Sequence, residues 1–283
     1  MNGQNTQGAP LSDPTLVPRP EMCRLAMRVA PGGLDVVIVS RVNDNPLIWR
    51  HLPFADTDSD VNVKAFEEVV YDNRLLLADF AATDVIVDTR RFMAVPAERA
   101  TEQTCEEIFE DLYPDDRDTE VIISPATDDA AIAACVPSAL TAFIRRTFGV
   151  RARICHRMAP LCRFFSIKNR LGNTGKLHVH IADGRADIVA LGRDGLLMAN
   201  SFPYKSETDV LYYTIAAARE LEFDNSTDRI IVSGDADIRD RLLPLLRKYV
   251  SYVMPMIFPS DIFKLGRDAL NAPFELIAIP LLD

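Results

Sequence analysis

The chain has 283 residues, of which 48% are hydrophobic and 25% charged, and its formal net charge is −10 at pH 7. This composition is ordinary for a globular protein, and the length allows one large domain or two modest ones. The negative net charge argues against a general nucleic-acid binder, because phosphate contacts require clustered Lys and Arg. No apolar run approaches the roughly 20 residues needed to cross a bilayer, and the first residues do not resemble a secretory signal. We therefore expect a cytoplasmic protein without a membrane span.

The cysteine content favours reduced thiols over disulfides. There are five cysteines, an odd number, and none of them form a Cys-x-x-Cys pair. Cys23, Cys135 and Cys155 lie in apolar stretches that are typical of strands. Buried reduced thiols in a cytosolic protein are the natural interpretation, with disulfides as the alternative.

A disordered tail followed by a three-stranded meander is predicted at the start of the chain. Residues 1–20 are rich in Gly, Asn, Gln and Pro, so we expect them to be disordered or loosely attached, with order beginning near Met22. A PGG turn then separates two stretches that are typical of strands, which indicates a hairpin. The three predicted strands are CRLAMRVA (23–30), LDVVIVSRV (34–42) and LIWRHLPF (47–54).

A helix and further strands complete the first half of the chain. DTDSD (56–60) offers capping residues to a helix that begins at Val61. Two consecutive stretches, DVIVDT (84–89) and RRFMAVP (90–96), are predicted to be paired strands. The remaining predicted elements are a helix over 101–113, strands over 120–125 and 130–137, a helix over 138–149, a strand over 150–156 and a helix over 160–170.

The second half repeats the order of the first. Three strands (176–183, 186–192 and 196–204) precede a helix over 206–223 and a strand over 229–234. Ser206 and Asp209 have the spacing of a capping box at the start of that helix. Such a duplication fixes a fold more firmly than a single motif. We predict an α/β protein with duplicated RNase H-like halves in βββαβα order, each with a mixed sheet. The predicted divisions are a tail (1–20), an N-terminal lobe (21–157) and a C-terminal lobe that includes the crossing helix (158–283).

Three passages resemble the actin-like ATPase fold, in which two RNase H-like halves clasp a nucleotide. ACVPSALTAFIRRTFGVRARICHRMA (134–159) is similar to the passage that crosses between the halves in heat-shock chaperones. IIVSGDADI (230–238) is similar to the adenosine-binding segment, with Ser233 and Gly234 where that fold often has two glycines. NSFPYKSETDVLYYTI (200–215) resembles a bacterial family of uncharacterised proteins assigned to this fold. The resemblance implies actin-like ATPase architecture with a cleft between the halves.

The chain departs from active members of that fold where their chemistry resides. In those members each half begins with an Asp beside a Gly-rich turn, and the turn holds phosphates while the Asp orients the hydrated metal. The matching residues here are Arg28 and His180, and Arg157 matches a third acidic residue of the chaperones. The candidate cleft residues implied by the resemblance are Arg28, Gly32, Gly33, Arg157, His180, Asp183, Gly184, Ser233 and Gly234. Basic side chains in these places would repel Mg²⁺, so we assign no metal ligand or catalytic residue and do not expect ATP, if bound, to be hydrolysed.

Three functional hypotheses remain open. The leading one is a non-catalytic protein that acts through contacts with an unidentified protein partner and needs no cofactor. The second is an ATPase or kinase-like phosphotransferase that binds a nucleotide between the lobes, with Asp35, Asp183 and Asp187 as the available carboxylates. The third is a metal-free binder of a small anion at Arg28 and Arg157.

Two local patterns favour plain structural roles. His178 and His180 share one face of a predicted strand, which could begin a metal site, but no HExxH motif or nearby carboxylate set accompanies them. GNTGK (172–176) lacks the P-loop spacing and precedes a strand instead of following one. We predict packed histidines and an ordinary turn.

Overall fold

Two five-stranded sheets form the bodies of two lobes. The computed structural model describes residues 11, 14–40, 47–55, 61–115, 117–169 and 174–282. The strands are β1 (Cys23–Ala30), β2 (Gly33–Ser40), β3 (Ile48–Pro53), β4 (Ala82–Val87), β5 (Phe92–Pro96), β6 (Thr119–Pro125), β7 (Ala130–Pro137), β8 (Arg153–His156), β9 (Lys176–Ala182), β10 (Arg185–Leu191), β11 (Leu196–Pro203), β12 (Arg229–Gly234) and β13 (Val253–Pro255). The helices are α1 (Val63–Asp72), α2 (Glu102–Leu112), α3 (Ser138–Phe148), α4 (Met158–Asn169), α5 (Glu207–Glu220), α6 (Ala236–Leu246), α7 (Ser260–Lys264), α8 (Asp268–Asn271) and α9 (Phe274–Leu281).

The N-lobe sheet has the strand order β3-β2-β1-β4-β8. β1, β2 and β3 are antiparallel neighbours, whereas β4 pairs in parallel with β1 and with β8. Apolar side chains of these strands pack under α1 and α3, where Phe66 and Phe143 meet edge to face at 5.4 Å. In the register of the first hairpin, Arg28 stands opposite Asp35.

The C-lobe sheet repeats this plan with the order β11-β10-β9-β12-β13. β9, β10 and β11 are antiparallel, and β12 runs parallel to β9 and β13. α5 follows the meander and is capped by Ser206 and Asp209, as the capping-box spacing indicates. In this hairpin His180 stands opposite Asp187. The structure therefore confirms the duplicated α/β fold.

One predicted strand pairing is wrong. β5 pairs with β7, not with β4, and belongs to a three-stranded sheet with the order β5-β7-β6. A strand has only two hydrogen-bonding edges, and those of β4 are already taken by β1 and β8. The chain therefore leaves the N-lobe sheet after Val87 and starts β5 elsewhere.

The segment before β1 is only partly as predicted. Leu11 is fully buried, its amide N–H donates to Asn73 Oδ1 at 2.8 Å, and Val17 also packs into the N-lobe core. These contacts contradict a loosely attached segment as far as residue 20, while residues 1–10 lie outside the described residues. The proposed cap at 56–60 also lies outside them; Asn62 caps α1, accepting from the Ala65 N–H at 3.0 Å.

A shared apolar core joins the two lobes. α4 and α9 pack together between the sheets, with Phe165 and Phe274 among their buried side chains. The same cluster contains Ile86 from the N-lobe and Val189 from the C-lobe. The division between residues 157 and 158 falls at the start of α4 and stays a prediction.

The thiols are reduced, as expected, but they are not all buried. All five cysteines are free; Cys105, Cys135 and Cys162 are buried, whereas Cys23 and Cys155 are half-buried. Across the described ranges, no helix is both long enough and apolar enough to span a membrane.

Candidate functional site

The two hairpin turns face each other across the interlobe cleft. The β1–β2 turn contains Gly32 and Gly33, and the β9–β10 turn contains Asp183 and Gly184. Together with Arg28 they line a cavity of about 360 Å³. Asp183 and Gly184 have φ values of 50° and 70°, the left-handed backbone of a tight two-residue hairpin loop. The structure thus brings together five of the residues that the sequence places in the cleft.

The other candidate residues lie farther along the cleft. Arg28, His180, Asp183 and Gly234 line a larger neighbouring cavity of about 700 Å³. Ser233 is buried behind it, with its Oγ 3.0 Å from His180 Nδ1.

Gly234 is required where β12 ends. Its φ is 95°, and a Cβ there would lie 2.0 Å from the carbonyl oxygen of Ile181 on β9. Only glycine permits this close approach of two neighbouring strands.

Arg28 is enclosed by carboxylates. Its Nε and Nη2 donate to Asp35 Oδ2 at 3.1 and 2.8 Å. Its Nη1 donates to Asp183 Oδ2 at 2.5 Å and to Glu275 Oε1 at 2.8 Å, and Asp88 Oδ2 lies 3.9 Å away. Asp183 belongs to the C-lobe and Glu275 to α9, so Arg28 ties the N-lobe hairpin to two other parts of the fold.

Arg157 and Arg185 form a second group around Asp88. Arg157 at the start of α4 donates through both Nη atoms to Asp187, and its Nε lies 2.8 Å from Asp88 Oδ1. Arg185 from the C-lobe holds Asp88 of the N-lobe through two hydrogen bonds of 2.8 and 2.5 Å. The interlobe ion network comprises three arginines and five carboxylates, namely Arg28, Arg157, Arg185, Asp35, Asp88, Asp183, Asp187 and Glu275.

The arginines fix the ionised state of these buried acids. Burial by itself would raise the pKa of Asp88, but Arg157 and Arg185 outweigh it and lower that pKa to about 2. Burial opposes ionisation of Asp187 as well, and Arg157 nonetheless lowers its pKa. A hydrogen bond to Asp35 raises the pKa of His51, which joins the network at its edge. These carboxylates are therefore internal counterions.

The expectation that Arg28 and Arg157 present positive charge to the cleft is wrong. Their side chains are only 7% and 3% exposed, and both are surrounded by acids. Arg28 and His180 stand opposite Asp35 and Asp187, which lie on the next strand of each hairpin. Asp35 neutralises Arg28, and Asp187 neutralises Arg157. The guanidiniums of Arg28 and Arg157 are therefore neutralised by acids within the protein.

Sequence reasoning missed Asp88, Arg185 and Glu275. Glu275 carried a usable signal, because it is a lone acid in the otherwise apolar helix FELIAIPL and is 1% exposed. A charge in such a place requires a partner. Asp88 and Arg185 gave no comparable signal, since Asp88 follows β4, Arg185 begins β10 and both strands are ordinary.

The histidines of β9 are packed, as predicted. His178 stacks on Phe165 at 4.2 Å, and burial lowers its pKa to about 3. Burial also lowers the pKa of His180. Among the described residues, no group of three or more His, Cys, Asp or Glu is arranged to hold a metal ion.

Comparison with known structures defines the class of protein. A Bacteroides thetaiotaomicron protein with an actin-like ATPase fold and unknown function is 20% identical, with a TM-score of 0.76 over 94% of this chain and 98% of that one. PilM in the PilM-PilN type IV pilus biogenesis complex is 13% identical, with a TM-score of 0.52 over 93% and 100% of the two chains. This protein therefore has the actin-like ATPase fold. It belongs to the family described as "Protein of unknown function (DUF3822)", which matches residues 16–253. No curated protein matches its sequence.

Proposed function

We propose that this protein is a non-catalytic member of the actin-like fold that acts through contacts with another protein. The observation that carries the proposal is the interlobe ion network. Nucleotide hydrolysis in such a cleft needs carboxylates that are free to hold hydrated Mg²⁺. Here Asp35 and Asp187 are hydrogen-bonded to Arg28 and Arg157 instead.

The network also opposes the opening that a nucleotide would require. Arg28–Asp183 and Arg185–Asp88 both join one lobe to the other. Separating the half-exposed Asp183 from Arg28 costs up to about 1 kcal/mol, and separating Arg185 from the fully buried Asp88 adds a further cost, because Asp88 loses one of its arginine partners. A triphosphate entering between the hairpin turns would have to offset that cost and would add its own negative charge to an acid-rich cleft.

A role in protein contacts draws support from a fold relative. PilM, whose TM-score to this chain is 0.52, forms a complex with PilN. The actin-like fold therefore serves as one component of a protein assembly in at least that case. We infer that the shared scaffold is used here for binding, with the ion network holding the lobes in one arrangement.

Calorimetry and phosphate release test the non-catalytic part of the proposal. With Mg²⁺ and ATP we expect no binding heat and no phosphate release above a protein-free blank, whereas an active heat-shock chaperone run in parallel gives both. Micromolar, Mg²⁺-dependent binding together with turnover would overturn it. Contact with a partner is tested in two steps. A protein that co-purifies with this chain is isolated, and the complex is then reconstituted from the two purified proteins and its affinity measured with and without Mg²⁺–ATP. Failure to reconstitute any complex counts against a binding role.

The alternative is an ATPase or a kinase-like phosphotransferase, and one observation favours it. Asp183 lies beside Gly184 in the second hairpin turn, and its side chain is 50% exposed. Half of that side chain therefore remains accessible to solvent. If turnover is found, Asp183→Asn should abolish it while Asp111→Asn, on the exposed surface of α2, should not.

A further inference from the structure

The larger interlobe cavity has the dimensions of a small-molecule site. Its volume is about 700 Å³, and its walls come from both lobes and from residues between 258 and 274. Three planar side chains line it: Trp49 from β3, Phe258 and Phe274. Phe258 and Phe274 meet at 5.2 Å between ring centres. Ligand sites commonly combine such apolar walls with a few polar groups.

The acids in and around this cavity outnumber the guanidiniums. The lining carboxylates are those of Asp35, Asp183 and Asp235, and the lining guanidiniums are those of Arg28 and Arg239. Both guanidiniums also pair with acids outside the lining, Arg28 with Glu275 and Arg239 with Asp240. A protonated His51 would balance the lining itself at three acids and three bases, and the acids are then in excess through Glu275 and Asp240. An added cation therefore finds more favourable electrostatics here than an added anion does.

A buried polar group in the wall lacks a partner. His180 is 3% exposed, and its Nδ1 is hydrogen-bonded to Ser233, while its Nε2 has no hydrogen-bond partner in the described part of the chain. Burial keeps this imidazole neutral by lowering its pKa. In the tautomer that donates from Nδ1 to Ser233, Nε2 is an acceptor. Nε2 is therefore a buried acceptor that the described part of the chain leaves unsatisfied.

Asp235 contributes an accessible acid at the exposed side of the same cavity. Its Oδ1 accepts from the Ile238 N–H at 3.0 Å and caps α6. The residue is exposed, and unlike Asp35 it has no arginine partner among the described residues. It is therefore available to a ligand without disturbing the interlobe ion network.

We propose that the interlobe cavity binds a small organic cation with a planar apolar body. The cationic head, which carries N–H donors, is attracted by Asp183 and Asp235, and the body packs on the aromatic walls. Trp49 adds an indole face, the aromatic surface best suited to cations. This inference goes beyond the proposed function and does not depend on whether the cleft hydrolyses ATP.

Three isosteric probes of different charge test the proposal on the full chain. Benzamidine is a cation, benzamide is neutral and benzoate is an anion, but all share one ring. Trp49 is the single tryptophan, so intrinsic fluorescence reports on this cavity alone. We expect saturable binding of benzamidine, about fivefold weaker binding of benzamide and still weaker binding of benzoate, as exposed charge pairs contribute up to about 1 kcal/mol. Equal affinities, tighter benzoate binding or no saturable change with benzamidine would overturn the proposal.

A conservative variant separates charge from structure. Asp235→Asn keeps a good N-cap side chain for α6 but removes one negative charge. We expect it to weaken benzamidine binding about fivefold and to leave benzamide binding unchanged. Asp111→Asn removes an acid on α2, outside the cavity lining, and should change neither affinity. If Asp235→Asn leaves the benzamidine affinity unchanged, or weakens both probes equally, the proposed recognition of a cation is wrong.

Discussion

Replacing Arg28 by Met is the most direct test of how the lobes are held together. Methionine keeps the unbranched apolar stem but removes the guanidinium. Asp35 would retain hydrogen bonds from Trp49 and His51. Glu275, in contrast, would lose its ion-pair partner in the described part of the chain.

The expected loss in the free energy of unfolding is about 4 kcal/mol. Glu275 and Asp35 have side chains that are 2% and 3% exposed, and an uncompensated buried charge costs about 3–5 kcal/mol. Asp183 adds up to about 1 kcal/mol, because its side chain is half exposed and solvent screens it. Such a loss is a large fraction of the roughly 5–15 kcal/mol that stabilises a typical protein.

Urea titrations followed by Trp49 fluorescence and far-ultraviolet circular dichroism measure this loss. The matched control is Arg145→Met, because Arg145 bonds Glu120 at 3.0 Å on the exposed surface and should contribute under about 1 kcal/mol. Adding Glu275→Met to Arg28→Met should recover about 2 kcal/mol, since it removes the orphaned charge. Acid should also relieve the single variant, because an unpaired buried carboxylate has a raised pKa and takes up a proton. A loss below about 1 kcal/mol, or one independent of pH, would refute the reasoning.

Three further predictions concern protonation and backbone geometry. The pKa of Asp88 is lowered from 3.8 in the unfolded chain to about 2 in the folded protein. Its charge therefore contributes about 2 kcal/mol of stability above pH 3.8, and this contribution is lost as the pH falls towards 2. Urea titrations across that range should show the decline, and a flat profile would contradict it. Burial lowers the pKa of His156 from 6.5 to about 4, so this residue should contribute about 3 kcal/mol to the loss of stability between those pH values, as the unfolded chain takes up a proton. The pKa values of His178 and His180 are also lowered, so His156→Phe should make the slope shallower without abolishing it; an unchanged slope would exclude a contribution from His156. Gly234→Ala should lower the free energy of unfolding by at least about 3 kcal/mol, because its Cβ would clash with the Ile181 carbonyl. Gly184 has a φ of 70° but open space around it, so Gly184→Ala should lower it by only about 1–2 kcal/mol. Equal losses of stability in melting experiments would argue against the clash.

Local patterns were sufficient for most of the fold. The meanders of both halves, the helices that follow them and the capping of α5 by Ser206 and Asp209 depend on nearby residues, and all were predicted. The pairing of β5 with β7 was not predictable in this way, because it depends on which strand edges remain free after the N-lobe sheet has assembled. The burial of Leu11 likewise depends on Asn73, 62 residues away.

The sequence identified the basic residues and the turns of the candidate site, but not all of its acids. Arg28, Arg157 and the two hairpin turns were found through their positions in the repeated plan. Their electrostatic meaning was misjudged, because it is set by acids distant in the chain: Arg28 meets Asp183 and Glu275, which are 155 and 247 residues away.

The sequence alone determined that two similar halves exist and which basic side chains stand at their first strands, because hydrophobic periodicity and turn chemistry are local. Only the tertiary structure decided that Arg28 is neutralised by acids from its own hairpin, from the opposite lobe and from α9. A charge's effect depends on its neighbours in space, and here they are supplied in part by the closure of one half on the other.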